Sequence, residues 1–543
     1  MRINTVRLYH SALDIVVEGF SPITSALARH KYLALTTAAI TLLAPFAVDW
    51  WDLNGTAPLR PLLTVRIFGA ICSTLIVCFF AEFMRRAAPS TRLVVGAWAL
   101  YLGILLTMLW PGLLTPDTRA IYLSSFQYPL PDWFGSFTAL EYSAALQLLP
   151  HVGFYAIFQL ACWSIAMGLT DHVLRKNGAA LWLRVALQAV LMVNVAVIYE
   201  LFQLSRDVSV VIAFAALLAF LAHSMFNRER GSLDAIVGMA IAGALMCAIR
   251  FDSIVMVLAA AGILFVAAPK SRHKLVAAAC VFLALYVFFT PLTGALVGRA
   301  SNSFGYTLTL ITNPLGYIIN NDFNSPDKEK DLQTIDKVIS VDVIRKIQRP
   351  DEIAAYWNGG VRWDSSKQQR RDLALVFARL VLLNPVLFLE GRLVTFMGAT
   401  GLRERNGAYV HKDYTSADGE GKDMSGLIAQ PLFPDARAEL LDFVKSAATY
   451  RGLTLSGSAV FFNVLPSLLV CAIVVGFFRR TPAAAAVAAV LLVKALLMIV
   501  FAPASQHIYY LALHASAPFA LAVFLVEMGY ASRVPREALA SAA

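Results

Sequence analysis

Charge is what this chain has least of. Only 15% of its 543 residues are Asp, Glu, Lys or Arg, against 58% hydrophobic residues and a mean hydropathy of +0.66. A soluble domain carries roughly a quarter charged residues, so a purely soluble protein is excluded and a membrane-embedded one is expected. Cysteine is also sparse. All six (Cys72, Cys78, Cys162, Cys247, Cys280, Cys471) fall in apolar runs, which leaves neither a disulfide framework in the loops nor metal-ligand spacing. No Walker loop, dinucleotide fingerprint, HExxH or GxSxG occurs, so soluble-nucleotide chemistry has no sequence support. No cleavable signal peptide is expected, because the stretch from Met1 to His30 is interrupted by Asp14 and Glu18.

What the chain has is apolar length. Runs near 32–50, 62–83, 93–111, 150–169, 181–199, 208–224, 232–249, 253–268, 275–295, 456–478, 482–501 and 508–527 approach the roughly 20 residues a bilayer requires. About twelve transmembrane helices are expected, and the fold class is an all-α integral membrane protein. Basic residues gather in alternate connections: Arg85, Arg86 and Arg92; Arg175, Lys176 and Arg184; Arg228 and Arg230; Lys270, Arg272 and Lys274; Arg479 and Arg480. By the positive-inside rule both termini are cytoplasmic. The segment 373–400 is long enough to span, but Arg379, Pro385, Glu390 and Arg392 interrupt it, and mid-bilayer charge is costly. It is read as one amphipathic helix on the outer surface.

The chain then divides into an N-terminal transmembrane domain (1–295), a mostly helical extracytoplasmic insert (296–455) and C-terminal transmembrane helices (456–543). The insert is nearly neutral, with 20 Lys+Arg against 19 Asp+Glu. The formal charge of +10 is therefore topological, and nucleic acid is not an expected partner.

The chemistry sits in the outer connections. The first holds Asp117, Arg119, Tyr122, Asp132 and Glu141; the next ends Ser205-Arg206-Asp207; the third is Arg250-Phe251-Asp252. Three loops thus bring an arginine and an aspartate to one face. Guanidinium forks suit phosphate oxygens, and a carboxylate near the interface can act as a base. Each feature also has a plainer reading: Asp117 as a helix cap, Asp132-Trp133 as a turn with an interfacial aromatic, Arg206-Asp207 and Arg250/Asp252 as local ion pairs. Lys494, inside the eleventh run, is a further candidate that could equally snorkel or pair within the bundle.

The string PGLLTPDTRAIYLSSFQYPLPDWF resembles the first outer loop of bacterial GT-C class integral-membrane glycosyltransferases, with Pro116-Asp117-Thr118 and Asp132-Trp133 as the matching elements. Arg206-Asp207 is similar to the family's Lys/Arg-Asp pair, and Asn384-Pro385…Arg392 to its surface helix. Phe134-Gly135 stands where the family carries His-Pro, and Gln506-His507-Ile508-Tyr509-Tyr510 where Asp-Phe-Arg-Tyr is common. The resemblance implies an inner-membrane enzyme with its site on the periplasmic face. It would move a sugar from a polyprenyl-phosphate donor to an envelope glycan, lipid or protein. It further implies Asp117 as catalytic base, Arg119, Arg206 and Arg250 on the donor phosphate, and Asp132, Asp207, Asp252 and Tyr122 in support. No cofactor is required, although Asp117 and Asp132 could hold a divalent metal. The alternatives are a multi-span transporter or lipid-linked-glycan flippase, and a polysaccharide polymerase or ligase.

Overall fold

The computed structural model describes residues 20–43, 59–115, 117–118, 120–121, 130–131, 136–148, 151–228, 232–292, 294–295, 299–300, 303–346, 359–403, 431–448 and 458–529. It is helical almost throughout; the regular sheet among the described residues is one parallel pair, Leu130–Pro131 with Arg299–Ala300. Among the described residues, seven helices are long and apolar enough to cross a membrane, and the number rises to nine if each of two bent pairs is one span. The protein is thus an integral membrane protein.

The first transmembrane domain contains α1 (Lys31–Leu43), α2 (Leu59–Arg86), α3 (Pro89–Leu109), α4 (Ser136–Leu148), α5 (Val152–Lys176), α6 (Leu181–Met192) and α7 (Val195–Leu201). It continues with α8 (Arg206–Phe226), α9 (Leu233–Ile249), α10 (Ile254–Ala267) and α11 (Arg272–Val287). Every expected apolar run carries a helix, but several are short: α1 has 13 residues, α9 17 and α10 14. The run at 181–199 is broken, α6 and α7 meeting at 65°. Asn194 makes the break: its side chain leaves the helix to accept from the Val197 N–H at 3.2 Å and starts α7 afresh.

The insert contributes α12 (Ser303–Ile319), α13 (Lys328–Asp336), α14 (Val341–Lys346), α15 (Lys367–Leu383), α16 (Pro385–Ala399) and α17 (Pro434–Ala448). The expected single helix over 373–400 is instead two helices bent by 98°. Pro385 has no N–H and forces its predecessor out of the helical region, so Asn384 sits at φ −131°, ψ 53°. The freed amide of Asn384 stitches the elbow down, accepting from Asn324 N (2.7 Å) and donating to Asn324 O (2.9 Å). Leu308, Ile311, Leu315, Ile335, Ile339 and Leu380 form a core for the insert that is separate from that of the bundle.

The chain closes with α18 (Leu465–Gly476), α19 (Pro482–Phe501) and α20 (Leu511–Glu527). Phe396 and Ala399 of α16 pack with Ala495, Met498, Tyr510 and Leu513, which joins the insert to the last spans. Leu93 and Leu100 on α3 are 73% and 67% exposed, while Trp98 and Leu102 between and beyond them are fully buried. One face therefore packs and the other meets hydrocarbon.

Contacts sort the helix ends into two sets. At one end, Arg86 of α2 pairs with Asp234 of α9 at 3.2 Å, and Glu527 of α20 accepts from the N–H groups of Ala483 and Ala484 at 3.0 and 2.9 Å. Asp171 of α5 holds Arg184 of α6 through two bonds of 2.7 and 2.8 Å and takes a third from Thr91 of α3 at 2.6 Å. At the other end the 109–115 segment runs beside 202–204, with Leu113 N donating to Phe202 O at 2.8 Å and Leu204 N donating to Leu113 O at 3.1 Å. The basic connections gather at the first end and the candidate site residues at the second.

Arg184 and Asp171 are both buried, so removing one partner strands the other charge. Arg184→Leu is expected to lower stability by about 3–5 kcal/mol, read as a marked drop in the thermal midpoint of detergent-solubilised protein. An unchanged midpoint would show that the pair does not hold these three helices together.

Candidate functional site

Asp117 follows the end of α3 through a turn that the sequence sets up locally. Gly112 has φ +110°, a conformation costly for any side chain, and a Cβ added there would crowd the side chain of Leu204. Thr115 takes the capping role that the plainer reading gave to Asp117: its hydroxyl accepts from Thr118 N at 3.1 Å and meets the Thr118 hydroxyl at 2.8 Å. Asp117 is left exposed, with no hydrogen bond among the described residues. Surrounding protein pushes its carboxyl above the usual range, opposed by the positive charges of Arg206 and Arg250 and reinforced by the negative charge of Asp207.

The three outer loops named from the sequence do converge. Asp207, in the first turn of α8, pairs with Arg250 at the end of α9 rather than with its neighbour Arg206. Arg250 also forks onto Asp252, Nε to Oδ1 at 3.0 Å and Nη2 to Oδ2 at 3.1 Å. The local Arg250/Asp252 pair is therefore present, while the local Arg206–Asp207 pair is replaced by one between helices. Arg250 lies over the ring of Tyr509, 5.9 Å from its centroid. With two carboxylates fixing its orientation, Arg250 is better placed to position Asp207 and Asp252 than to give its whole fork to a ligand.

Lys494 completes the cluster. It sits 7% exposed inside α19 and lines a narrow recess with Asp207, Arg250 and Tyr509, walled by apolar side chains such as Val211 and Phe214. The recess has room for about one water molecule. Among the described residues Lys494 makes no hydrogen bond or ion pair; Asp252 and Asp207 act on it at longer range. A buried ammonium without close acceptors is costly, which keeps Lys494 a candidate site residue. Tyr509 is the other addition, placed by the start of the last span.

Arg119, Tyr122 and Asp132 lie outside the described residues. Among the described residues no group of three or more His, Cys, Asp or Glu side chains is placed to hold a metal ion. Glu141, on α4, belongs to a neighbouring polar group: Tyr155 donates to its Oε1 at 3.3 Å and meets Ser209 at 3.0 Å. Burial pushes the Glu141 carboxyl up to about 7, only partly offset by the Tyr155 hydroxyl.

Arg437 was not evident from the sequence. It reaches from α17 of the insert to the carbonyls that end α3, donating to Leu109 O, to Trp110 O at 3.0 Å and to Gly112 O at 3.0 Å. An arginine in an amphipathic helix carries no signal that its partners are carbonyls more than 300 residues away. No protein-family model, curated protein or solved structure matches the chain.

Arg437→Ala is expected to leave these carbonyls without their guanidinium, at about 1–3 kcal/mol. Amide exchange in the segment from Leu109 to Thr115 should accelerate at least tenfold, with the α5–α6 end unaffected. Unchanged exchange in that segment would remove Arg437 as the anchor of the Asp117 loop.

Proposed function

We propose that the protein is a membrane-embedded glycosyltransferase of GT-C type, taking a sugar from a polyprenyl-phosphate donor and passing it to an extracytoplasmic acceptor. The observation that carries this reading is the meeting of an exposed carboxylate, Asp117, with the charges of Arg206 and Arg250 at one end of the bundle. In this scheme the chain crosses the bilayer twelve times with both termini cytoplasmic, in a bacterial inner membrane, and the site end faces the periplasm. The basic connections collected at the opposite end support that orientation.

Asp117 removes the proton from an acceptor hydroxyl as that oxygen attacks the anomeric carbon. The bond from that carbon to the phosphate oxygen breaks, and polyprenyl phosphate leaves with the bonding pair. Arg206 and Lys494 stabilise the departing phosphate electrostatically, joined by Arg119 in the same loop as Asp117. Arg250 holds Asp207 and Asp252 and so sets the field in which Arg206 and Lys494 act. Envelope glycan, lipid or protein are all acceptors compatible with this arrangement. The scheme needs no cofactor, and no step passes through a metal.

One observation favours a second reading. The buried Lys494, close to Asp207 and Asp252 within the bundle, resembles the intramembrane charge groups of transporters and flippases. Under that reading movement of a lipid-linked glycan, rather than glycosyl transfer, is the activity.

The test is sugar transfer from a labelled polyprenyl-phosphate donor in proteoliposomes. Asp117→Asn should lose about a hundredfold or more of the wild-type rate. Because a base must be ionised and the Asp117 carboxyl is raised, wild-type transfer should fall with decreasing pH, its acid limb lying above about pH 4, the usual carboxylate value. Full activity in Asp117→Asn would strip Asp117 of the base role. Wild-type protein that translocates but never transfers the label would favour the transporter.

A further inference from the structure

At the end of the bundle opposite Asp117, one carboxylate is asked to satisfy four cationic or potentially cationic side chains. Glu82, 7% exposed near the end of α2, accepts at Oε1 from Arg29, from Arg85 Nη2 at 2.8 Å and from Arg86 Nε at 2.5 Å. At Oε2 it meets Arg85 Nε at 3.0 Å and His30 Nε2 at 3.1 Å. A carboxylate offers about four lone-pair sites, so its capacity is exceeded. Among the described residues the neighbouring acid, Asp234, pairs with Arg86 alone, at 3.2 Å, and is itself largely exposed.

Among the described residues the positive charge is therefore not neutralised. Arg29, Arg85 and Arg86 face Glu82 and Asp234, and Arg92 adds another guanidinium through its bond to Arg85 O at 3.1 Å. The side chains of Arg29, Arg85 and Arg86 are 44%, 51% and 51% exposed, so each presents N–H donors outward beyond those used on Glu82. Their setting narrows what those donors meet. They stand where α2 ends, directly beyond a span whose apolar residues Ile76 and Phe80, within three turns of that end and on one face, are exposed. The headgroup layer lies at that depth.

We propose that Arg29, Arg85, Arg86 and Arg92 form a binding site for the phosphate of an anionic phospholipid headgroup. The forked guanidiniums receive the phosphate oxygens, and the acyl chains lie along the exposed apolar face of α2. Glu82 pre-orients the arginines and keeps their mutual repulsion tolerable in the absence of lipid. The lipid would also tie the helical stretch 20–29, which supplies Arg29, to α2. This site is independent of the glycosyltransferase reading.

The test is native mass spectrometry of the full chain released from detergent with phosphatidylglycerol, phosphatidylcholine or inorganic phosphate. Wild type should retain phosphatidylglycerol in clear preference to phosphatidylcholine, and millimolar phosphate should not displace it. Each arginine removed should weaken retention about fivefold, measured in Arg29→Gln and in the Arg29→Gln/Arg85→Gln double variant. Arg85→Lys keeps the charge and should retain most of the binding, which separates loss of the site from loss of the fold. Equal retention of the two lipids by wild type, or undiminished preference in a double variant with an unchanged melting midpoint, would overturn the proposal. Displacement by inorganic phosphate would overturn the lipid assignment.

Discussion

A helix that ends inside or beside hydrocarbon leaves its last carbonyls without intrahelical partners, and no water stands by to pair them cheaply. At the site end of this bundle, arginines of the insert meet that demand. Arg437 covers the carbonyls that end α3, and the buried Arg392 of α16 donates to Ala502 O at 3.0 Å and Val500 O at 3.4 Å at the end of α19. Cationic donors at helix C-termini also oppose the negative end of the macrodipole. Asn313 donates to Pro503 O and Ser505 to Thr395 O, adding two more ties between insert and bundle. The geometry of the site follows from this. Asp117 begins just past the carbonyls that Arg437 holds, and Tyr509 follows the segment that Arg392 and Ser505 hold. The insert is thus part of the scaffold that sets these two residues.

The charges within the site are arranged for separation rather than mutual cancellation. Arg250 is committed to Asp207 and Asp252, while Asp117 and Lys494 stand apart with no hydrogen bond among the described residues. A cluster bent only on stability would pair them, since an unpaired buried charge costs several kcal/mol in a low-dielectric interior. The bundle carries this cost through close packing elsewhere: α8 is buried along most of its length, and the alanine-rich first half of α19 is buried almost continuously. Buried polar groups stand at both ends, but at the far end Asp171 and Arg184 are paired, whereas Lys494 at the site end has no hydrogen bond or ion pair among the described residues.

The sequence made the apolar runs, the alternating basic connections and the separate insert legible, because hydrophobic length and charge asymmetry are one-dimensional signals. It also led to the expectation that Asp117, Arg206-Asp207 and Arg250/Asp252 share a face, and these residues do come together at one end of the bundle. Which acid pairs with which base was not readable. Asp207 bypasses Arg206 for Arg250 because α8 and α9 pack side by side, a three-dimensional fact. Proline and asparagine at 384–385 announced an interruption, yet whether they kink a surface helix or fold it through 98° depends on Asn324 being there to receive the elbow. The anchors Arg437 and Arg392 and the hub at Glu82 were hidden for the same reason: their partners are backbone groups, or side chains from distant segments.

Depth is the last consideration. Lys494 lies seven residues before the end of α19, roughly 10 Å below it at 1.5 Å per residue. The recess above it is walled by Val211, Phe214, Met246 and Ile508 and is too narrow for a sugar ring. A freely soluble substrate gains little from an apolar shaft with a cation at its foot. An amphiphile gains more: its polar group can stay near the charges of Arg206, Asp207 and Arg250 that act on Asp117, while its hydrocarbon stays among the helices. Lys494 then acts from beneath through a low-dielectric path, where its field reaches further than it would through water. Under the proposed reading, an exposed Asp117 and a buried Lys494 at the same end of the bundle suit a ligand whose charge is attached to a lipid.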